Sequence, residues 1–366
     1  MTANATLCGI KPSGNDTLQK TLARLAPCAA QLKILDISPQ GPGLEVELSS
    51  ASAQAAVLFT CKRLRSLETF VPVLPEVLAY LSKSASLEQL KLTSPFRDTD
   101  LNTVHELGHL KFPNLRQLWL TAPAKELAAF LHLASLPSIE HIQLRFAKPR
   151  RTASTTENTL VSAPDVDEAV RSLGRFVHPS LIWISITTDG MDGTFPNIIS
   201  GDVLLSLTGL PKLSTLDLER FHVDLRPHHI LPLAIAWPNM EILRLPRGSL
   251  RAGRSEPQFQ PSIGIEDLYP FAQHCPLLRE LVVAVASDIT PSSSQDSLEP
   301  RVVHRSLRAL WLLCNDAEKA EDRYRIARFV RDVFPEVRDR FGISDYDAMR
   351  EIQRLLGDAP SEFRVG

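Results

Sequence analysis

The segment His105-Glu106-Leu107-Gly108-His109 has the spacing of a zinc-hydrolase motif. On a helix, two histidines four residues apart share a face and bind one Zn²⁺, and the intervening Glu acts as a general base. Pro113 follows closely and leads into an apolar stretch, which leaves little room for a long zinc-binding helix. The pattern therefore favours a partly exposed helix without metal, and a zinc-dependent hydrolase is the alternative.

Other chemical motifs are weaker. Asp189-Gly190-Met191-Asp192-Gly193 looks like a calcium loop but lacks the acidic spacing and the closing Glu of an EF-hand, so an ordinary turn is expected. The cysteines are scattered and form no CxxC pair, which indicates small buried side chains in a reducing compartment. They are Cys8, Cys28, Cys61, Cys275 and Cys314. We assign no catalytic residue, no cofactor and no metal, and expect a protein that is not an enzyme.

Charge and hydropathy exclude several classes of partner. The 366-residue chain has a formal net charge of -2, so it has no global positive field for nucleic acid or an anionic membrane. It contains neither the roughly 18 consecutive apolar residues of a membrane-spanning helix nor a recognisable signal peptide. We expect an intracellular monomer, cytoplasmic or nuclear.

The elements that position any functional side chain come from an internal repeat. The pattern apolar-x-x-apolar-x-apolar recurs at intervals of 23 to 42 residues. Its copies begin at Leu32, Leu64, Leu87, Leu115, Ile139, Leu181, Leu213, Met240, Leu278 and Leu307. The short intervals match the 20–29-residue period of leucine-rich repeats, and the long ones indicate a repeat plus an insertion.

The spacing within each copy predicts a short strand. Its last two apolar residues are two apart and point to the same side, where we expect one continuous parallel sheet to bury them. These pairs are Leu90/Leu92, Leu118/Leu120, Ile142/Leu144, Leu216/Leu218, Leu243/Leu245 and Leu281/Val283. Helix-like segments, most of which end in proline, separate the copies. The predicted fold is an α/β leucine-rich-repeat solenoid, a horseshoe with a concave parallel sheet and a helical convex face. An all-helical armadillo-like solenoid is the alternative, but Thr, Ile and Trp in the repeat favour strands.

The domain organisation follows from the repeats. Residues 1–30 are expected to form an N-terminal capping segment, residues 31–315 about ten repeat units, and residues 316–366 a C-terminal cap of two helices. Four insertions follow strands and are expected along one rim. They run from Lys148 to Pro164, Thr187 to Ser200, Pro246 to Ile263 and Ser287 to Pro300.

Several segments resemble the leucine-rich-repeat region of fungal F-box proteins. They are FPNLRQLWL, LPKLSTLDL, WPNMEILRL, CPLLRELVV and the late helix RIARFVRDVFPEV. The resemblance runs from about Leu32 to Val337 and implies the substrate-recognition half of an SCF-type ubiquitin ligase subunit, in which an F-box would bind Skp1. The segment before Leu32 lacks the Leu-Pro opening of an F-box. Leu74-Pro75 imitates that opening, but it lies between two repeats and is interpreted as the start of a repeat helix.

A binding surface is predicted on the strands. Side chains that flank the buried pairs must face the concave side, because side chains alternate along a strand. These residues are Gln89, Lys91, Gln117, Trp119, His141, Gln143, Arg145, Trp183, Ser185, Asp217, Glu219, Arg244, Glu280 and Trp311. The set contains three of the four tryptophans, which are common anchors of protein interfaces. The alternatives are that these tryptophans stack on neighbouring strands or lie under a loop, and that the scaffold retains no partner.

Overall fold

The structure is a computed structural model. It describes residues 18–37, 48–70, 73–93, 108–147, 163–175, 180–188, 198–218, 220–245, 261–286, 302–313, 320–343 and 346–357. The chain divides into two compact units, Met1–Leu181 and Ile182–Gly366. In the described ranges each unit repeats the same order of strand and helix.

Ten α-helices lie in the described residues. They are α1 Leu18–Leu25, α2 Leu48–Leu58, α3 Pro75–Ser82, α4 Ala124–Leu133, α5 Ala163–Arg175, α6 Gly201–Leu205, α7 Pro227–Ala236, α8 Tyr269–His274, α9 Ala320–Val333 and α10 Tyr346–Gly357. Four 3-10 helices accompany them, at Ala26–Gln31, Ser206–Gly209, Glu266–Leu268 and Pro335–Arg340.

The first unit contains five parallel strands that pair in chain order. They are β1 Ile34–Ile37, β2 Ser66–Thr69, β3 Gln89–Thr93, β5 Gln117–Ala122 and β7 His141–Phe146. Helices α3, α4 and α5 each lie between two copies of the repeat, where helix-like segments are predicted. A second, small parallel pair joins β4 Leu110–Lys111 to β6 Ala134–Ser135.

The second unit contains six parallel strands, again paired in chain order. They are β8 Trp183–Thr188, β10 Thr215–Asp217, β12 Ile242–Leu245, β13 Glu280–Ala284, β14 Ala309–Leu313 and β15 Phe341–Ile343. A small parallel pair joins β9 Ile198–Ser200 to β11 His222–Asp224. The expected mixed α/β architecture with parallel strands is confirmed, and an all-helical solenoid is excluded.

The buried side of these strands is a ladder of aliphatic side chains. Every residue of the six predicted strand pairs is at most 1% exposed, and so is the first apolar residue of each of the ten copies. Each fully buried aliphatic side chain stabilises the fold by roughly 1.5–3 kcal/mol. Since one repeat cannot cover its own apolar face, this burial depends on the neighbouring repeats within each unit.

A backbone hydrogen-bond fork joins successive repeats. The carbonyl one residue after the first apolar position accepts two N–H groups from the next repeat. The Arg65 carbonyl, for example, accepts from Glu88 at 2.8 Å and from Gln89 at 2.9 Å. In the second unit the Glu241 carbonyl accepts from Arg279 at 2.7 Å and Glu280 at 3.1 Å. The fork fixes the register in which the apolar positions meet.

Pro-Asn or Pro-Ser often stands just before the first apolar position of a copy, and the hydrogen bonds of the Asn or Ser side chain explain why. The Asn114 side-chain amide donates to the Ala85 carbonyl at 2.7 Å, and the Ser138 hydroxyl donates to the Pro113 carbonyl at 2.7 Å. Asn239 donates to the Pro211 carbonyl at 3.0 Å in the same way. In these three repeats a proline stands just before the polar side chain, and that side chain ties the turn to the preceding repeat.

The C-terminal segment differs from the expectation of helices alone. Helices α9 and α10 are present, but β15 lies between them in sequence and pairs with β14. The signal for this strand is weak, because Phe341-Gly342-Ile343 does not follow the repeat pattern. The predicted common rim lies outside the described residues, because most of each insertion does.

Candidate functional site

The first strand face consists of the outward side chains of β3, β5 and β7. Three rows stand in register across these strands: Gln89, Gln117 and His141; Lys91, Trp119 and Gln143; and Thr93, Thr121 and Arg145. Lys91 and Arg145 are exposed, and the others are half-buried. The predicted alternation is confirmed here, and it brings seven predicted site residues onto one surface built around a single indole.

Charges on and beside the first strand face are paired between neighbouring repeats. Lys91 forms an ion pair with Glu68 of β2. At the turn before the strands, Arg116 lies 3.3 Å from Glu140, and Arg65 lies 3.8 Å from Glu88. Such exposed pairs contribute only about 0–1 kcal/mol each to stability. Because these cations are matched by carboxylates of neighbouring repeats, this described region presents no cluster of unmatched cations suited to a phosphate backbone.

The second strand face consists of the outward side chains of β8, β10, β12, β13 and β14. Its centre is Arg244, whose Nε and Nη2 donate to the two carboxylate oxygens of Glu280 at 2.7 and 3.0 Å. The Arg244 Nη1 donates to Asp217 Oδ2 at 2.9 Å. The hydrogen bond with Glu280, and next that with Asp217, raise the pKa of Arg244, while partial burial opposes this. Three predicted site residues thus form one alternating chain of charges.

The tryptophans of the second unit have different surroundings. Trp311 is 48% exposed. A Cβ built on Gly342 would lie 2.0 Å from Trp311 Cε3, so the indole rests against the backbone of the adjacent strand β15. Trp183 is half-buried at the start of β8. Trp237, which was not assigned to the binding surface, is fully buried, and its Nε1 donates to the Leu207 carbonyl at 3.2 Å.

Two residues of the predicted binding surface are not confirmed as accessible members of it, each for a different reason. Ser185 is only 9% exposed although it stands in register with Asp217, so its small side chain offers little to a partner. The prediction that Ser185 is accessible is wrong, because its hydroxymethyl group does not reach beyond its neighbours. Glu219 lies outside the described residues.

The zinc-motif segment does not continue as a helix. Gly108 has φ +72°, in the left-handed region, and Leu110–Lys111 forms the strand β4. His109 is exposed and precedes that strand. Residues 105–107 lie outside the described ranges, but an α-helix that carries both histidines on one face must pass through Gly108. The helical interpretation of this segment is therefore wrong from Gly108 onward.

Asp202, His228 and His229 bring potential ligand atoms within 4.8 Å of one another in the described part of the second unit. Their hydrogen bonds indicate a structural role. His229 Nδ1 accepts from the Arg226 backbone N–H at 3.0 Å, so its Nε2 carries the proton and donates to Asp202 Oδ1 at 3.0 Å. Both ring nitrogens of His229 already form hydrogen bonds, so a metal ion could bind this ring only by disrupting the hydrogen bonds that cap α7 and join it to α6. The buried His229 instead caps α7 and ties it to α6.

Sequence reasoning missed the pairing of charges across repeats. Arg244 and Glu280 were identified as outward residues, but the fork between them depends on a strand register that individual repeats do not reveal. A signal was present in the alternation of Arg and Glu at one position of successive repeats, as in Arg65, Glu88, Arg116 and Glu140. Opposite charges at the same repeat position predict contact when repeats stack.

Comparison with known proteins leaves the chain without an assigned family. No protein-family profile matches it, and no curated protein shows significant sequence similarity to it. Among the helices of the described residues, none has the length and apolar character required to cross a membrane.

Proposed function

We propose that this protein is a binding scaffold built from leucine-rich repeats, which captures another protein through its strand faces and performs no catalysis. The observation that carries the proposal is the pattern of outward side chains on a rigid buried ladder. Trp119, Trp183 and Trp311 are all partly or largely accessible, and Arg145 is exposed nearby on β7. Tryptophan and arginine are enriched among the residues that dominate protein interfaces.

The charge distribution supports a protein partner rather than a nucleic acid. The described strand faces combine neutral amides, hydroxyls, indoles and charges that are paired locally. Since nucleic-acid binding depends on several unpaired cations along a groove or stripe, this composition suits it poorly. A polypeptide, with its own amides and mixed side chains, matches the surface better.

The resemblance to fungal F-box proteins supports a role in substrate recognition for a ubiquitin ligase. In this proposal the repeats are the receptor half. The Leu74-Pro75 segment does not supply a Skp1-binding surface, because Pro75, Val77 and Leu78 are buried in α3. In this proposal Skp1 would need another site, and the strand faces would bind the substrate.

The test is quantitative capture of proteins by the purified chain. Trp119→Ala and Trp183→Ala are expected to weaken capture of a specific partner by roughly 2 kcal/mol or more, which is about a 30-fold loss of affinity. Retained proteins are identified by mass spectrometry and scored first for Skp1. Urea unfolding of each variant checks that the fold is intact.

Tyr324→Ala is the matched control. Tyr324 is 57% exposed but lies on α9, not on a strand face, so its removal should leave capture unchanged. If both tryptophan variants capture the same partner with unchanged affinity, the strand faces are not the binding site and the insertions become the next candidate. A chain that retains no specific partner would support a degenerate scaffold.

A further inference from the structure

The residue just before the first apolar position is polar or charged in nine of the ten copies of the repeat. In several copies its side chain joins the turn to the preceding repeat, as Asn239 does by donating to the Pro211 carbonyl. In the copy that begins at Leu278 this residue is Leu277, which is 46% exposed. An apolar side chain is therefore exposed at a turn where the other repeats carry a polar one, and stacking of the repeats does not require it.

A hydrogen bond brings the next turn along the chain close to the turn that contains Leu277. His304 Nδ1 accepts a backbone N–H of its own turn at 3.2 Å, so Nε2 carries the proton and donates to the Cys275 carbonyl at 2.8 Å. The two residues beside His304 are Val303, which is 48% exposed, and Arg305, which is also exposed. Leu277 thus has an exposed apolar residue and an exposed cation on the adjoining turn.

The strand register sets the spacing along this edge of the second unit. Four residues each lie three positions before mutually paired residues of β10, β12, β13 and β14. They are Lys212, Asn239, Leu277 and Ser306. Since neighbouring strands are ~4.8 Å apart, the Leu277 backbone lies roughly 10 Å from that of Lys212 and roughly 5 Å from that of Ser306, which follows Arg305. Leu277 therefore lies between two exposed cations.

These two cations differ from the charges of the adjacent row. That row consists of ion pairs between neighbouring repeats, which are Arg279 with Glu241 at 3.6 Å and Arg308 with Glu336 at 3.2 Å. Within the described part of the chain, neither Lys212 nor Arg305 forms an ion pair. The edge therefore has a local excess of two positive charges on either side of exposed apolar side chains, which complements a ligand with negative charge and apolar groups.

We propose that this edge of the second unit binds an acidic amphipathic segment of a partner protein. Leu277 and Val303 contact apolar side chains of that segment, and Lys212 and Arg305 face its carboxylates. The exposed leucine favours a polypeptide over a nucleic acid, because it offers no contact to a phosphate backbone. The edge precedes the strands and is separate from the strand faces, so this inference extends the proposed function and does not depend on it.

The experiment measures the binding of two fluorescein-labelled peptides to the full chain by fluorescence anisotropy. The acidic peptide consists of three copies of Glu-Glu-Leu-Leu, and the basic peptide of three copies of Lys-Lys-Leu-Leu. The acidic peptide is expected to bind at least about tenfold more tightly, and its affinity should fall as salt increases. Equal binding of the two peptides, no binding at millimolar concentration, or tighter binding of a single-stranded oligonucleotide would each overturn the proposal.

Two variants test the two parts of the surface. Leu277→Asn introduces the residue that the preceding repeat carries at this turn, and it should weaken binding of the acidic peptide at least about fivefold. The double variant Lys212→Gln and Arg305→Gln should weaken binding by a similar factor and remove most of its salt dependence. Urea unfolding checks that each variant is folded. Unchanged affinity in a folded variant of either kind would contradict the proposed contacts.

Leu231→Asn is the matched control. Leu231 is 46% exposed, as Leu277 is, but it lies on α7 and not at a turn, so its replacement should weaken the acidic peptide by less than about twofold. Equal losses in the two Asn variants would mean that the peptide binds exposed leucine without regard to this edge. Trp119→Ala should leave peptide binding unchanged, so failure of the edge and failure of protein capture by the strand faces are separate results.

Discussion

The outward positions of β3, β5 and β7 carry amide, hydroxyl and charged side chains around one indole, whereas those of β12, β13 and β14 are mostly apolar. Of the nine outward residues in the first set, only Trp119 is apolar. Of the eight in the second set, only Arg244 and Glu280 are polar. The apolar six are Ile242, Val282, Ala284, Ala309, Trp311 and Leu313, of which the two alanines are buried.

The difference shows that the fold constrains the inward residues of each strand more strongly than the outward residues. The inward positions of both sets are aliphatic and almost fully buried, because each must fill space against the next repeat. The outward positions do not have to fill the space between successive repeats, so they tolerate both a polar surface and an apolar one. Chemistry that distinguishes one strand face from the other is therefore encoded in alternate residues of the same strands.

The largest expected effect tests the feature that both sets of strands share, which is their buried aliphatic side. Leu118→Ala in the first unit and Leu243→Ala in the second should each lower the free energy of unfolding by about 2–5 kcal/mol, since both side chains are completely buried. Urea unfolding measures the loss. Gln117→Ala, one residue away on the outward side, should cost less than about 1 kcal/mol, and an equal cost for Leu118 and Gln117 would contradict the assignment of faces.

Much of the fold follows from the period and spacing of the sequence. The positions Leu115, Leu118 and Leu120 predict a strand core because the burial requirement repeats with the chain, and all three are buried as expected. Helices such as α4 follow from an apolar stripe, with Leu127, Phe130 and Leu131 inside. The local sequence pattern is sufficient to predict an element where successive repeats share the same environment.

The candidate site is less predictable, because it depends on contacts between repeats. Outward-facing residues are identified by alternation alone, but whether Trp311 rests on Gly342 depends on β15, which has no repeat signature. The charge chain through Arg244 likewise requires the register of β10, β12 and β13. The sequence pattern predicts on which side of the sheet a residue lies, but not which residue of a neighbouring strand it contacts.

A second test concerns the support of the Trp311 indole, which has no counterpart at Trp119. The register partners of Trp119 are Lys91 and Gln143, whereas that of Trp311 on β15 is a glycine. Gly342→Ala should lower the free energy of unfolding by about 1–3 kcal/mol, because the new methyl group and the ring cannot occupy the same space.

Gly209→Ala is the control for this change. No atom lies within 4 Å of a Cβ built on Gly209, so the substitution should be close to neutral. Near-ultraviolet circular dichroism of Gly342→Ala reports whether the indole has moved. An unchanged spectrum together with unchanged stability would mean that the ring is not held by this contact.

The third test compares the charged pairs of the two faces. Arg244→Ala removes a fork to Glu280 and a bond to Asp217, leaving two half-buried carboxylates near each other, and should cost about 1–2 kcal/mol. Lys91→Ala removes one exposed pair with Glu68 and should cost less than about 1 kcal/mol. Thermal or urea unfolding measures both. If the two losses are the same size at low and at high salt, the fork adds nothing beyond a surface pair.

The smallest expected effect concerns one buried thiol in each unit, at the same position of the repeat. Cys61 precedes Leu64 by three residues, and Cys275 precedes Leu278 by three. Burial, with a smaller contribution from Cys28, raises the pKa of Cys61 to about 11. Burial alone raises the pKa of Cys275 to about 12. Folding therefore favours the protonated thiol in both units.

This preference makes stability fall at alkaline pH. Both pKa values are raised in the fold, so the stabilisation is complete below the unfolded-state pKa of about 8.5 and is lost as pH rises toward 11 and 12. At about pH 9.5 the loss should be on the order of 1 kcal/mol for each thiol. Urea unfolding across this range measures it. Cys61→Ser and Cys275→Ser should each reduce the slope of stability against pH, because serine does not ionise there.

The two thiols should also differ from each other at higher pH. The loss due to Cys61 should level off near pH 11, whereas that due to Cys275 should continue toward pH 12, because its pKa is higher. Each serine retains a donor for the carbonyl that the thiol meets, Val57 for Cys61 and Ala234 for Cys275. Identical slopes in the unmodified chain and in both variants would show that these thiols ionise in the folded chain as readily as in the unfolded one.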